Sequence, residues 1–85
     1  MRKYILEACV DSAESAVEAT EGGADRLELC GNLIIGGTTP ERALYEKVRE
    51  LTDTRIHVLI RPRYGDFLYT DYEFEIIARS VALYR

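Results

Sequence analysis

The sequence predicts an α/β fold of three β/α units that form part of a larger domain. Three short segments rich in apolar residues are each followed by an amphipathic segment with helical periodicity, and the connections between them are short. Such units imply parallel strands joined by right-handed crossovers. Two parent folds have this pattern, a doubly wound sheet and a (β/α)8 barrel. Because three parallel strands leave both sheet edges open, residues 1–85 are predicted to be part of a larger domain, and a barrel of about 250 residues would contain them as roughly its first third, a partial barrel domain.

The first unit begins with a strand over residues 3–10, KYILEACV. Asp11 is predicted to be the N-cap of the following helix, because Glu14 stands three residues later in the capping-box position. Residues 22–23, a Gly-Gly pair, mark the end of this helix.

The second unit begins with a strand over residues 25–30, in which Leu27 and Leu29 alternate with polar residues. A loop over residues 31–38 follows. Thr39 is predicted to cap the next helix, with Pro40 in its first turn, where a missing N–H costs nothing. The buried stripe of this helix is predicted to be Leu44, Val48 and Leu51.

The third unit begins with a strand over residues 55–60, which Pro62 ends. Residues 70–73, TDYE, form a capping box that opens a helix running to the end of the chain. The apolar face of this helix is predicted to contain Phe74, Ile77, Val81 and Tyr84.

Composition and charge exclude several classes of protein. The chain has 11 Lys and Arg against 15 Asp and Glu, a formal net charge of -4, which argues against nucleic acid or an anionic membrane as a partner. No apolar run approaches the roughly 20 residues of a membrane span, and Glu7 interrupts the position of a signal peptide's apolar stretch. We therefore expect a cytoplasmic protein whose two cysteines are reduced thiols.

The first two strands end on the same pattern, L-E-x-C, at residues 6–9 and 27–30. With a side-chain period of two, each glutamate shares a face with the cysteine that follows it, and the leucines face the helices. Arg61 has the same parity at the end of the third strand. We expect these side chains to meet at the mouth formed by the strand carboxyl ends, with Arg61 between Glu7 and Glu28, because two carboxylates on adjacent strands repel each other without a cation.

Glu7 and Glu28 are candidates for general acid–base catalysis, since clustered carboxylates separate their pKa values. The alternative is a purely structural salt-bridge network with Arg61. Cys9 and Cys30 are candidate ligands of a soft metal, for which Cu(I) suits thiolates at low coordination number, whereas structural zinc needs four ligands. Their alternative role is that of small buried apolar residues. His57 stands early in its strand, away from the mouth, and is interpreted as structural.

Two loops are predicted to bind an anion. Gly36, Gly37, Thr38 and Thr39 place backbone N–H groups and hydroxyls before a helix N-terminus. Arg61 and Arg63 flank a rigid proline, so that two guanidinium groups of equal parity match a planar oxyanion. The alternative for the glycine loop is a tight turn with a helix cap.

Four segments resemble the N-terminal part of the CutC copper-homeostasis proteins. These segments are residues 6–10 (LEACV), 23–30 (GADRLELC), 36–40 (GGTTP) and 60–71 (IRPRYGDFLYTD). The resemblance covers about residues 4–77, and Tyr64 stands where these proteins usually carry glycine.

The resemblance implies a cytosolic (β/α)8 barrel, commonly a homo-oligomer at full length, with Cu(I) as the bound metal. It places the suggested copper-binding cysteines at Cys9 and Cys30, and a polar pocket at Glu7, Glu28, Arg61 and Arg63. Two other functions stay open: an enzyme acting on a small anionic metabolite, and an inactive truncated product. If the chain ends at residue 85, we expect it to be unstable or to pair with other chains through its open edges.

Overall fold

The computed structural model describes residues 4–84, and its elements follow the predicted order. The elements are β1 (Glu7–Val10), α1 (Ala13–Glu21), β2 (Arg26–Leu29), a 3-10 turn (Leu33–Ile35), α2 (Arg42–Leu51), β3 (Arg55–Val58) and α3 (Asp71–Tyr84). Each strand has four residues and is shorter than the sequence predicts. Residue 3, the predicted start of the first strand, lies outside the described residues.

The three strands form one parallel sheet in the order β1-β2-β3, which confirms the α/β prediction. Ala8, Leu27 and Ile56 lie in one row across the sheet. The next row is Cys9, Glu28 and His57. Residues of one row project to the same side of the sheet, and adjacent rows project to opposite sides.

The helix-covered side of the sheet holds the core, where Val10, Leu27, Leu29, Ala16 and Val48 are buried together. The other side carries polar side chains from all three strands. These are Glu7 and Cys9 from β1, Arg26 and Glu28 from β2, and Arg55 and His57 from β3. In a closed barrel, the side without helices becomes the interior. The structure therefore presents the polar residues on the side that faces the barrel axis.

Helix α1 begins one residue later than predicted. Ser12, not Asp11, is the N-cap, because its backbone is extended and its hydroxyl accepts a 3.0 Å hydrogen bond from the Ser15 N–H. The Asp11 carboxylate instead accepts a 3.2 Å hydrogen bond from the Leu33 N–H in the β2–α2 loop. The predicted end at Gly22 is confirmed.

The predicted cap of α2 is also wrong. This helix begins at Arg42 with Glu41 as a cap that makes no side-chain bond. Thr39 instead joins the end of β3: its N–H donates to the Arg61 carbonyl at 2.9 Å, and its hydroxyl accepts from the Arg61 N–H at 2.7 Å. Of the predicted stripe, Val48 is fully buried, whereas Leu51 is 46% exposed.

Helix α3 has the predicted capping box, since the Thr70 hydroxyl accepts from the Glu73 N–H and the Glu73 carboxylate accepts from the Thr70 N–H. None of its described side chains is fully buried. Its C-terminal end is held by Tyr84, whose hydroxyl donates to the Pro40 carbonyl at 2.6 Å and whose ring packs edge-to-face on Tyr45. Among the helices of residues 4–84, none is long and apolar enough to cross a membrane.

Candidate functional site

Glu7 is paired with Arg26 rather than with the predicted Arg61. The Arg26 Nε donates to the Glu7 carboxylate at 2.6 Å, and the two side chains are 32% and 26% exposed. His57 also contacts this carboxylate, with its Nδ1 3.7 Å from the Glu7 Oε2. The cation at Glu7 therefore comes from the neighbouring strand in the same row of the sheet.

Glu28 lies beside Cys9, its partner in the β1–β2 register. The Cys9 thiol donates a weak hydrogen bond to the Glu28 carboxylate at an Sγ–O distance of 3.8 Å. His57 is the third member of this row. The sequence placed His57 away from the site, but the register places it level with Cys9 and Glu28.

Cys30 follows the end of β2 and lies two register positions beyond the level of Cys9. Its thiol donates to the Val10 carbonyl at 3.5 Å. Cys30 is 1% exposed, whereas Cys9 is exposed. The two cysteines thus belong to adjacent strands at levels two residues apart, and only Cys9 is open to solvent.

Both thiols have a raised pKa. For Cys9 the cause is burial of the thiol, followed by the negative charges of Glu28 and Glu7. For Cys30 the cause is again burial, followed by the proximity of Cys9 and then Glu28. Both cysteines are therefore protonated at neutral pH, and a metal bound by thiolates must displace their protons.

Arg61 joins two loops instead of bridging the two glutamates. One terminal nitrogen donates to the Gly37 carbonyl at 3.1 Å, and the other donates to the Gly65 carbonyl at 3.0 Å. The guanidinium also lies over the Phe67 ring, 5.3 Å from its centroid. Its Nε is buried and has no hydrogen-bond partner within the described part of the chain.

Arg63 uses all of its donors within its own loop and the first turn of α3. Its guanidinium donates to the carbonyls of Tyr64, Asp66 and Leu68 and to the carboxylates of Glu73 and Asp66. These five hydrogen bonds match the five N–H groups of a guanidinium. The structure therefore favours a role in ordering the 61–70 loop over the anion-binding role that the sequence suggested.

The backbone donors of the predicted anion loop are occupied as well. The N–H groups of Gly36, Gly37, Thr38 and Thr39 donate to the carbonyls of Leu33, Asn32, Gly31 and Arg61, respectively. The loop also precedes α2 by several residues instead of lying at its N-terminus. The tight-turn alternative fits this geometry better than an open anion cradle.

No group of three or more His, Cys, Asp and Glu side chains is arranged to hold a metal ion in residues 4–84. A closed zinc or calcium site therefore does not fit these residues. Cys9 and Cys30 are the residues that could hold a soft metal ion, because thiolates prefer soft ions and an ion of low coordination number needs only two ligands.

Sequence reasoning missed Arg26 and His57 as members of this site. Arg26 has the parity of Glu28, and His57 has the parity of Arg61. The alternation along each strand therefore already indicated that they lie on the same side of the sheet as the candidate site. The parallel register was needed to show which levels they share.

The fold and this polar face define a class of protein: three consecutive β/α units of a (β/α)8 barrel, with charged and thiol side chains on the side toward the barrel axis. The CutC family model matches residues 4–85, and the chain belongs to the CutC family.

Three similar proteins show the extent of the match. The human copper homeostasis protein cutC homolog is 49% identical over 80 residues, which cover 94% of this chain and 29% of that protein. A family protein CutC of Bacteroides fragilis strain YCH46 is 46% identical over 86 aligned positions, covering 100% of this chain and 34% of that protein. The solved structure of the putative copper homeostasis protein CutC from Streptococcus agalactiae superimposes with a TM-score of 0.77 at 33% identity, covering 92% of this chain and 39% of the other. The chain therefore spans about a third of the length of these relatives.

Proposed function

We propose that this protein acts in copper homeostasis by binding Cu(I) in the cytosol through Cys9 and Cys30. The observation that carries this proposal is the placement of two reduced thiols at neighbouring strand ends. Thiolates select Cu(I), and a reducing compartment keeps both thiols available. The names of the relatives, which are copper homeostasis proteins, agree with this chemistry.

The mechanism begins with the exposed thiol. Cys9 meets the incoming ion first, because Cys30 is buried. Binding would release the proton of each thiol: that of Cys9 could pass to the Glu28 carboxylate, which accepts its hydrogen bond at 3.8 Å, and that of Cys30 to water. Cys9 and Cys30 would then hold the ion as two thiolates.

A competition titration tests this proposal. The reduced chain is titrated with Cu(I) against a chromophoric chelator, in parallel with the Cys9→Ser and Cys30→Ser variants and the double variant. We expect one Cu(I) per chain, a weaker affinity in each single variant and no competition in the double variant. Arg42→Met, which changes an exposed side chain of α2, is the control and should bind like the starting protein. An unchanged affinity in the double variant would refute the proposal.

We propose as a second candidate an enzyme that acts on a small anionic metabolite, because a copper site with two thiols does not need the charged residues around it. Glu7, Arg26, Glu28, Arg55 and His57 share the side of the sheet toward the barrel axis. Glu28 is the better candidate for a general base, since Glu7 is held by Arg26. Arg61 retains a donor for the anion, its Nε, which has no partner among residues 4–84, whereas Arg63 is fully engaged.

Thermal stability tests the second candidate. Phosphorylated and carboxylated metabolites are added to the full chain and to its Arg61→Met variant. A ligand at 100 times its dissociation constant adds about 2.7 kcal/mol of stability, so a true ligand raises the melting temperature of the starting protein and not that of the variant. The absence of any shift across the panel would exclude this candidate.

A further inference from the structure

The backbone of Gly37, in the β2–α2 loop, packs against Cys30, and Gly36 precedes it in the chain. A Cβ atom added to Gly37 would lie 3.4 Å from the Cys30 Cβ, 3.7 Å from its Sγ and 2.9 Å from the Leu59 Cδ2. Gly37 has a φ of 90°, a conformation that glycine adopts without strain. Cys30 itself is 1% exposed. We refer to residues 36–37 as the thiol cover.

The loop that carries the thiol cover is closed at its base. Gly31 and Thr38 exchange two backbone hydrogen bonds of 2.8 Å, and the Asn32 side chain donates to the Thr38 hydroxyl at 3.0 Å. These bonds lie within residues 31–38, so they define the shape of the loop. They do not by themselves hold its tip against Cys30.

The Arg61 side chain contacts the thiol cover itself, whereas two hydrogen bonds between Thr39 and the Arg61 backbone hold the end of the loop. One terminal nitrogen of Arg61 donates to the Gly37 carbonyl at 3.1 Å, and a Cβ at Gly36 would lie 3.1 Å from the same nitrogen. The other terminal nitrogen is bound to the Gly65 carbonyl in the β3–α3 loop. Arg61 thus fastens the cover of Cys30 to a second loop.

The position of the Arg61 side chain against the thiol cover includes one unfavourable feature, which lowers the free energy needed to break the Arg61–Gly37 contact. The Arg61 Nε is buried and lacks a hydrogen-bond partner among residues 4–84. A buried N–H without a partner is unfavourable relative to one that is hydrated. Displacing the guanidinium toward solvent would satisfy the Nε at the expense of the Gly37 contact. Small openings of this kind occur locally, without unfolding of the core.

We propose that Arg61 is a positioning residue that keeps the thiol cover closed over Cys30, so that Cys30 reacts with soft metal ions and thiol reagents only when the Arg61–Gly37 contact opens. Cys9 reacts at all times. The proposal rests on the proposed function only for the order of binding, Cys9 before Cys30. The accessibility of Cys30 is independent of any metal.

Site-resolved alkylation tests the proposal without copper. The reduced full chain is treated with iodoacetamide, a small uncharged reagent, at one pH, and the labelling of each cysteine is followed by peptide mass spectrometry. We expect Cys30 to be labelled much more slowly than Cys9. In Arg61→Met we expect the Cys30 rate to rise about tenfold, the effect of losing one hydrogen bond, with the Cys9 rate unchanged. Arg42→Met, an exposed arginine of α2, serves as the matched control and should change neither rate.

A second measurement separates opening of the cover from unfolding of the whole chain. Alkylation of Cys30 is repeated in low concentrations of urea. Local opening exposes little surface and depends weakly on urea, whereas global unfolding depends on it steeply. Equal labelling of the two cysteines, an unchanged Cys30 rate in Arg61→Met, or a Cys30 rate that follows global unfolding would each overturn the proposal. If the Cu(I) titration failed but the alkylation pattern were as expected, the proposed copper site would be refuted and the proposed role of Arg61 would still be supported.

Discussion

Glu7 and Arg26 lie opposite each other in the parallel register of β1 and β2, and the Arg26 Nε is 2.6 Å from the Glu7 Oε2. His57 approaches the same carboxylate from β3 at 3.7 Å. The cluster joins all three strands on the side without helices. It therefore contributes to holding the sheet together as well as placing charge on the side toward the barrel axis.

A double-mutant cycle should show that Glu7 and Arg26 are coupled. We expect a coupling free energy of about 1 kcal/mol between Glu7→Gln and Arg26→Met, measured by urea denaturation, because the pair is partly shielded from water. The exposed pair Arg42 and Glu46, at 4.0 Å on α2, is the control and should give less than about 0.5 kcal/mol. Equal coupling in the two cycles would show that partial burial does not strengthen the Glu7–Arg26 contact beyond an exposed pair.

Gly37→Ala should destabilise the chain more than Gly23→Ala. Both glycines have a positive φ, 90° and 99°, so alanine is strained at either position and costs about 1–3 kcal/mol. Only at position 37 does the new Cβ also overlap a neighbour, the Leu59 Cδ2 at 2.9 Å, whereas nothing lies within 4 Å at position 23. The difference in the free energy of unfolding between the two variants measures the packing of the thiol cover. If the two losses were equal, position 37 would have room for a methyl group.

Arg63→Lys should loosen the 61–70 loop although it preserves the charge. An ammonium has three donors and cannot replace the five N–H groups with which Arg63 binds Glu73, Asp66 and three carbonyls. We expect faster amide hydrogen exchange at residues 66–70 and a lower free energy of unfolding. Arg42→Lys on α2 should change neither quantity. If Arg63→Lys kept the full protection of residues 66–70 against amide hydrogen exchange, a positive charge alone would be sufficient to order the loop.

The same loop should lose its anchoring in acid. The Leu68 N–H, and then Arg63, lower the pKa of Asp66; the Thr70 N–H, and then Arg63, lower the pKa of Glu73. Because the folded pKa lies below the unfolded value of about 4, the folded state binds fewer protons. The stabilisation is complete above pH about 4 and is lost as the pH falls through the folded pKa.

Urea denaturation between pH 7 and pH 2 measures this effect. The Asp66→Asn/Glu73→Gln variant should be less stable at neutral pH and show a smaller loss of stability in acid than the starting protein. Glu50→Gln, an exposed residue of α2, is the control and should preserve the acid dependence. If the free energy of unfolding fell equally with pH in the double variant and the starting protein, Asp66 and Glu73 would not be the groups responsible for the loss of stability in acid.

Local patterns were sufficient for much of the fold. The alternation of Leu27 and Leu29 with polar residues predicted which side of β2 is buried, because side-chain direction in a strand depends only on parity. The capping box of residues 70–73 was confirmed, because both of its hydrogen bonds lie within four residues. Asp11 was predicted as a cap from the same spacing, and Thr39 from the proline that follows it, but both make long-range contacts instead, with Leu33 and with Arg61.

Sequence periodicity was enough to predict the three β/α units and the side of the sheet on which Glu7, Glu28 and Cys9 lie. The pairing of charges emerged only in the folded chain, where Arg26 rather than Arg61 contacts Glu7, and Arg61 contacts Gly37 beside Cys30. Periodicity reports the direction of a side chain along its own strand. The partner of that side chain depends on the register between strands and on the path of the loops, which bring together residues that are distant in the sequence.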